Sequence, residues 1–264
     1  MTARTPGTRR RVFALLAALG AIAWALPLHA SAATTVVTIQ FDDGTADQYT
    51  ARSILSAHTM HATFYVNTGV IDDSTHAHMT WQQLTDLYGD GNEIAGHTLT
   101  HDNIKKLKYA PAHANVCQDR NNLISHGFQP TSFAYPFGSF NDRAELVVHD
   151  CGYNSGRGVS GVNDRRVFAE TIPPLDAYAT RTPPNPKQGT TLATIEGYVT
   201  AAEANGGWVQ LVFHHVCDQC DAYSITPANL SLLLDWLQTQ AGNGVVVMTT
   251  AQVIGGDVQL PVTP

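Results

Sequence analysis

The chain has 264 residues, 44% of them hydrophobic, and carries 22 Asp and Glu against 15 Lys and Arg, a formal net charge of −7. That length accommodates one large domain, and the acidity argues against nucleic acid or an anionic membrane as partner. A neutral polymer or small molecule suits such a surface better.

The first segment stands apart from the rest. "TRRRVFALLAALGAIAWALPLHASA" has a basic start, an apolar centre and small residues at Ala30 and Ala32. It reads as a secretory signal peptide over residues 1–32, leaving 33–264 as a single domain. The rival, a retained anchor, is disfavoured by the small-residue cleavage site. "RRVF" also fits a twin-arginine export signal loosely. Four of the basic residues lie in this leader, so the exported chain is more acidic still. No later segment has the ~20 consecutive apolar residues of a membrane span. An exported monomer, free of the membrane after cleavage, is expected.

From residue 34 onward, strands and helices alternate. "TTVVTIQF" (34–41) is a β-branched run that stops at "DDG", and "QYTARSILSAH" (48–58) reads as a helix. "ATFYVN" (62–67) is a second strand. "TWQQLTDLYG" begins at a Thr80 cap and ends at Gly89 as a helix. "NEIAGH" (92–97) is a third strand, followed by a helix from Pro111 to His126. "TSFAYPFG" (131–138) is strand then turn, "NDRAELVVHDCG" a helix ending at Gly152, and Tyr153 to Ser155 opens another strand. A proline-rich stretch (173–186) reads as irregular, and "TTLATIEGYVTAAEANGG" as helical. "WVQLVFHHV" (208–216) is strand. The next helix has Pro227 in its first turn and Leu230, Leu233, Leu234 and Leu237 on one face. "VVVMT" closes the series. Six or more strand–helix repeats predict an α/β fold with a mostly parallel sheet, whose functional residues gather at the C-terminal ends of the strands.

Polar residues stand at those ends: Asp42 and Asp43 after the first strand, His97 after the third, His214 after the penultimate one. His97 and His101 lie four apart, the spacing that lets two imidazoles on a helical turn reach one ion. Thr98 stands where a metalloprotease has its catalytic Glu, so a general base must come from elsewhere. "FDDG" can supply it. Beside Gly44 the backbone can turn both carboxylates into one pocket, one for an ion and one for a proton; the plain alternative is a loop-capping turn. His214 is a candidate general acid, or a core histidine bonded to a carbonyl. Together these residues outline metal-assisted hydrolysis.

Four cysteines, an even count in an exported chain, argue for disulfides with three connectivities open. Cys117–Cys151 and Cys217–Cys220 are the favoured pairs. "CDQC" could also be half of a zinc site or the cysteine pair of a nucleobase deaminase, but the H-x-E partner of that enzyme is absent.

The motifs resemble those of the polysaccharide deacetylase (NodB homology) family, carbohydrate esterase family 4, from roughly Thr34 to Thr250. "QFDDG" is similar to the family's T-F-D-D-G with Gln40 in place of Thr, and "HTLTH" matches H-[ST]-x-x-H in full. "AYPFG" matches R-x-P-[YF]-G with Ala134 where arginine is usual, and "LVFH" matches L-x-x-H. The resemblance implies that 33–264 is a catalytic domain folded as a distorted (β/α) barrel of seven or eight strands. It also implies one divalent ion, zinc or cobalt, on Asp43, His97 and His101. Asp42 would be the base, His214 the acid, and the Phe137 backbone N–H an oxyanion donor. The arginine that usually holds the base is missing from its motif. Arg181 is the candidate substitute, with Arg166 the runner-up. The fourth motif, with its D-W pair, is not recognisable, and Asp176 is at best its remnant.

The expected substrate is an acetylated glycan, with N-acetyl groups of a chitin-like polymer or peptidoglycan ahead of O-acetyl groups of xylan. A glycan-binding module that has lost catalysis is the rival of another class, and a two-histidine, one-carboxylate iron oxygenase a third. Tyr135, Phe137, Tyr223 and Trp81 are candidate aromatic walls of a glycan groove.

Overall fold

All seven residues of β1 (Thr35–Phe41) are buried, which a strand achieves only when both of its faces are covered. Side chains alternate along it. Val37, Ile39 and Phe41 join the main apolar cluster under the helices. The opposite face is polar: Gln40 Nε2 donates to Thr38 Oγ1 at 2.7 Å, Gln210 Oε1 at 2.9 Å and Thr250 Oγ1 at 3.2 Å. The interior of the curled sheet is therefore hydrogen-bonded, and Gln40, the departure from the family's first motif, is one of its hubs.

This computed structural model describes residues 1–3, 34–75, 77–162 and 166–264, so the signal peptide expected over 1–32 falls almost wholly outside the described residues. Ala32–Pro264 is one compact unit. After β1 come β2 (Thr63–Val66), β3 (Glu93–Gly96), β4 (Ser132–Ala134), β5 (Ser155–Gly161) and β6 (Thr180–Thr182), each parallel to the one before. β7 (Gly207–Phe213) runs parallel to β1 along its whole length. β8 (His215–Val216) and β9 (Ser224–Ile225) form a small parallel pair of their own. β10 (Val245–Val247) pairs with the first residues of β1. The main sheet thus has eight strands, all parallel. Between β6 and β7 a side chain takes the place of a ladder, with Gln210 Nε2 donating to the Arg181 carbonyl at 2.9 Å. The distorted barrel of seven or eight parallel strands is the observed architecture.

The helices are α1 (Ala51–Ala57), α2 (Trp81–Gly89), α3 (Tyr109–Ser125), α4 (Asp142–Asp150), α5 (Leu192–Glu203), α6 (Pro227–Thr239) and α7 (Thr250–Ile254). Thr80 caps α2 in a reciprocal capping box with Gln83. In α6, Pro227 opens the helix and the four expected leucines are buried. α3 starts at Tyr109, before Pro111, because a proline in the first turn forfeits no intrahelical bond. The segment read as one helix over 48–58 is a 3₁₀ turn, Ala46–Thr50, followed by α1. The proline-rich stretch, expected to be irregular, contains β6. Both disulfides form as expected, Cys117–Cys151 tying α3 to the end of α4 and Cys217–Cys220 closing the loop after β8. Among the described residues no helix is long and apolar enough to cross a membrane.

Candidate active site

A cleft of about 350 Å³ opens at the C-terminal rim of the sheet and is lined by Asp42, Asp43, His97, His101, Phe137, His214 and Tyr223 among others. They arrive from several strand ends: Asp42 and Asp43 after β1, His97 and His101 after β3, Phe137 after β4 and His214 after β7. Asp42, one residue past the end of β1, is still tied to the sheet, its N–H donating to the Phe213 carbonyl of β7 at 3.0 Å. The chain then reverses through Asp43 (φ 79°) and Gly44 (φ 69°). Asp is among the few residues that tolerate the left-handed region. This reversal brings adjacent carboxylates, which a regular strand would send to opposite faces, into one cleft.

His97 and His101 converge on Asp43, but not along a helical turn as their spacing suggested. Residues 97–101 form a loop in which Thr98 (φ 70°) and His101 (φ 59°) are left-handed. A β-branched residue in that region costs about 1–3 kcal/mol, so surrounding contacts must hold the loop. The result is symmetrical: His97 Nε2 and His101 Nε2 each lie 3.3 Å from Asp43 Oδ1. That oxygen is buried and makes no hydrogen bond. His97 Nδ1 lies 2.7 Å from the Ala134 carbonyl. A carbonyl only accepts, so Nδ1 carries the proton and Nε2 turns a lone pair toward the cleft.

Two imidazole nitrogens and a carboxylate oxygen are a borderline-hard donor set suited to zinc and its neighbours. A tetrahedral ion with bonds of about 2.0–2.2 Å separates neighbouring donors by about 3.3–3.6 Å, which matches the spacing of each histidine nitrogen from Asp43 Oδ1. Asp43, His97 and His101 therefore fit a divalent ion. Two other clusters bring metal-ligating residue types together among the described residues, His113–Cys117–Cys151 and Asp47–His215–Cys220. Their sulfurs are committed to disulfides.

Asp42 corrects one expectation. Its partner is Arg157 of β5, whose Nη2 donates to Asp42 Oδ1. The guanidinium stacks 4.9 Å over the Tyr65 ring. Burial works against the Arg157 charge, but Asp42 beside it more than compensates and holds the group above its ordinary range. Arg181, the expected partner, instead donates from Nε and Nη2 to Glu170 at 2.8 and 2.7 Å. Strand alternation explains the difference: Thr180 and Thr182 are buried and Arg181 lies between them, on the other face of β6. Arg181 and Arg166 both line a groove of about 900 Å³ beside Thr34 and Gly207, where β1 and β7 begin. Arg157 had a faint signal in the sequence, an arginine between two glycines in "SGRGVSG" with Ser155 and Val159 at alternate positions.

His214 lines the cleft with its Nδ1 buried and without a partner among the described residues. Its carbonyl accepts from Gln48 Nε2 at 2.6 Å and from Thr45 Oγ1 at 3.2 Å, which pins the strand end. Phe137 sits at φ 61° and is 68% exposed, its ring edge-on to His101. Tyr223 lies 5.1 Å from the His214 ring. Tyr135 is not a rim residue. It is 1% exposed, stacked on Phe140, and its hydroxyl donates to the Tyr178 carbonyl at 3.0 Å. Trp81 is likewise occupied, stacked on His126.

The rim of this parallel α/β half-barrel gathers two carboxylates and three histidines, a set whose chemistry suits hydrolysis. Residues 29–156 match the family model described as polysaccharide deacetylase. The match spans 128 of the 264 residues and takes in β1 to β4 with the Asp42–Asp43 and His97–His101 motifs. No curated protein matches the chain. Solved structures share its fold. A family 4 acetyl xylan esterase from Clostridium thermocellum in complex with cobalt is 18% identical, covers 83% of this chain and 90% of its own, and superposes with a TM-score of 0.56. A family 4 carbohydrate esterase from Streptomyces lividans in complex with acetate is 18% identical over 84% and 97%, with a TM-score of 0.55. Peptidoglycan deacetylase of Bacillus subtilis is 16% identical over 83% and 90%, with a TM-score of 0.51.

Proposed function

We propose that this protein is an exported, monomeric, metal-dependent deacetylase that removes N-acetyl groups from an aminosugar polymer or oligomer, chitin-like or peptidoglycan. One observation carries the reading: three ligand atoms at the spacing of a single small cation, beside a second carboxylate that an arginine holds off them. Asp43, His97 and His101 would hold the ion, zinc first among the candidates. When bound, such an ion polarises the acetyl carbonyl and acidifies water.

The remaining steps belong to the chain's own groups. Asp42, oriented by Arg157, takes the proton of the attacking water on its carboxylate. The Phe137 N–H donates to the oxygen that gains charge as the carbonyl is attacked. His214 passes a proton to the departing sugar nitrogen. Phe137 and Tyr223 present ring surface on either side of the cleft for the pyranose to stack against. The acidic surface suits a neutral glycan.

The test is acetate release from N-acetylglucosamine oligomers, peptidoglycan and acetylated xylan by the wild type and Asp42→Asn. Release from the N-acetylated substrates is expected, falling by about 10²–10⁴-fold in the variant. Release from xylan alone would make the protein an O-acetyl esterase. Silence from both proteins on all three substrates would make it a glycan-binding module.

A further inference from the structure

The left-handed loop that carries both histidines is held from outside the site by α3. Asp119 is fully buried. Its Oδ1 accepts from the Thr68 N–H at 3.0 Å and the Thr68 hydroxyl at 2.7 Å, and its Oδ2 accepts at 3.2 Å from the His97 N–H, which it shares with the Val66 carbonyl of β2 at 3.2 Å. One turn earlier on the same helix, Asn115 Oδ1 accepts from the Leu99 N–H at 2.7 Å and its Nδ2 donates to Asp102 at 2.8 Å. On the other side, Asn67 Nδ2 donates to the His97 carbonyl. The space around this contact is full: a Cβ on Gly96 would lie 1.9 Å from the Tyr153 hydroxyl and 3.1 Å from Asp119 Oδ2. The peptide of His97 therefore has a single seat, and the Asp119 carboxylate defines one wall of it.

We propose that Asp119 is a positioning residue for the metal site, fixing the strained 97–101 loop so that His97 and His101 face Asp43 together. The proposal rests on the assignment of Asp43, His97 and His101 as ligands. Asp119 touches neither ion nor substrate and acts through the backbone of a ligand. Asp119→Asn places an NH₂ group against backbone donors that need an acceptor, so the loop loses a bond at His97 or at Thr68. Hydrogen-bond partners behind a ligand are worth about 10–100-fold in metal affinity.

The experiment is competition of the chelator-stripped protein with a chromophoric chelator for zinc, together with the visible spectrum of the cobalt-loaded protein. Asp119→Asn is expected to weaken zinc binding by about 10–100-fold and to shift or weaken the cobalt bands. Thr68→Val, which removes one donor to the same carboxylate and keeps the side-chain shape, is expected to move both readouts in the same direction by less. Arg120→Met is the control. Arg120 is the neighbour on α3 and donates instead to the carbonyls of Pro130, Gln259 and Leu260. It is expected to lower the melting temperature with zinc affinity and cobalt spectrum intact. A folded Asp119→Asn with wild-type affinity and spectrum overturns the proposal. Should that variant not fold, a Thr68→Val protein indistinguishable from wild type in both readouts overturns it equally. Wild-type protein that takes up no zinc defeats the ligand assignment itself, and the positioning role with it.

Discussion

Arg157 and Asp42 show only 1% and 5% of their side chains to solvent, so each charge depends on the other. Removing one member of a buried pair costs about 3–5 kcal/mol, mostly because the survivor is left uncompensated. Arg157→Met is expected to lose about that much unfolding free energy in urea, and about 100-fold or more in acetate release once Asp42 loses its orientation. Arg181→Met, which frees only Glu170 on the outer face, should turn over at the wild-type rate. Full activity in Arg157→Met would remove Asp42 from the role of an arginine-held base. Four rim residues, Asp42, Asp43, His97 and His214, were legible because they trail apolar runs, and His101 through its spacing of four from His97. Arg157 was hidden for a physical reason: the barrel interior is polar, with Thr38, Gln40, Thr63, Tyr65, Glu93 and Gln210 all buried. An inward arginine there breaks no hydrophobic pattern. The family motif pointed to position 134, where alanine instead lends its carbonyl to His97.

Among the elements, α3 and α4 form a second packing unit beside the main cluster, with Val116, Ala144, Val147 and Val148 buried between them and β4. The Cys117–Cys151 bridge closes a separation of 34 residues around it. In the chain-entropy description a loop of that length is worth about 3–4 kcal/mol. Cys117→Ala with Cys151→Ala is expected to lose about that much in denaturant unfolding, and the same change at Cys217 and Cys220, three residues apart, clearly less. Equal losses would mean that neither bridge acts through loop closure. Caps and periodicity exposed α2 and α6 in the sequence, down to Thr80 and the four leucines. β6 escaped notice because three residues between prolines carry no alternation worth the name. The 97–101 loop escaped because Thr98 and His101 adopt a backbone that usually advertises itself with glycine.

At the scale of the whole molecule, the strand–helix alternation declared a parallel sheet and placed its chemistry at one rim. Tertiary closure was not legible: β6 and β7 meet through the Gln210 side chain, a contact with no local signal. The fold brings Asp43, which trails β1, against two histidines that trail β3, although 54 and 58 positions separate His97 and His101 from it in the chain. On this account that convergence exists to hold one cation. The most direct test is to titrate zinc into chelator-stripped wild type and Asp43→Ala while following bound metal and acetate release in the same samples. One equivalent is expected to bind the wild type and restore its activity from near zero, whereas Asp43→Ala binds far more weakly and stays inactive. Metal-free protein that hydrolyses at full rate, or an Asp43→Ala variant that takes up zinc as tightly as wild type, would contradict the account.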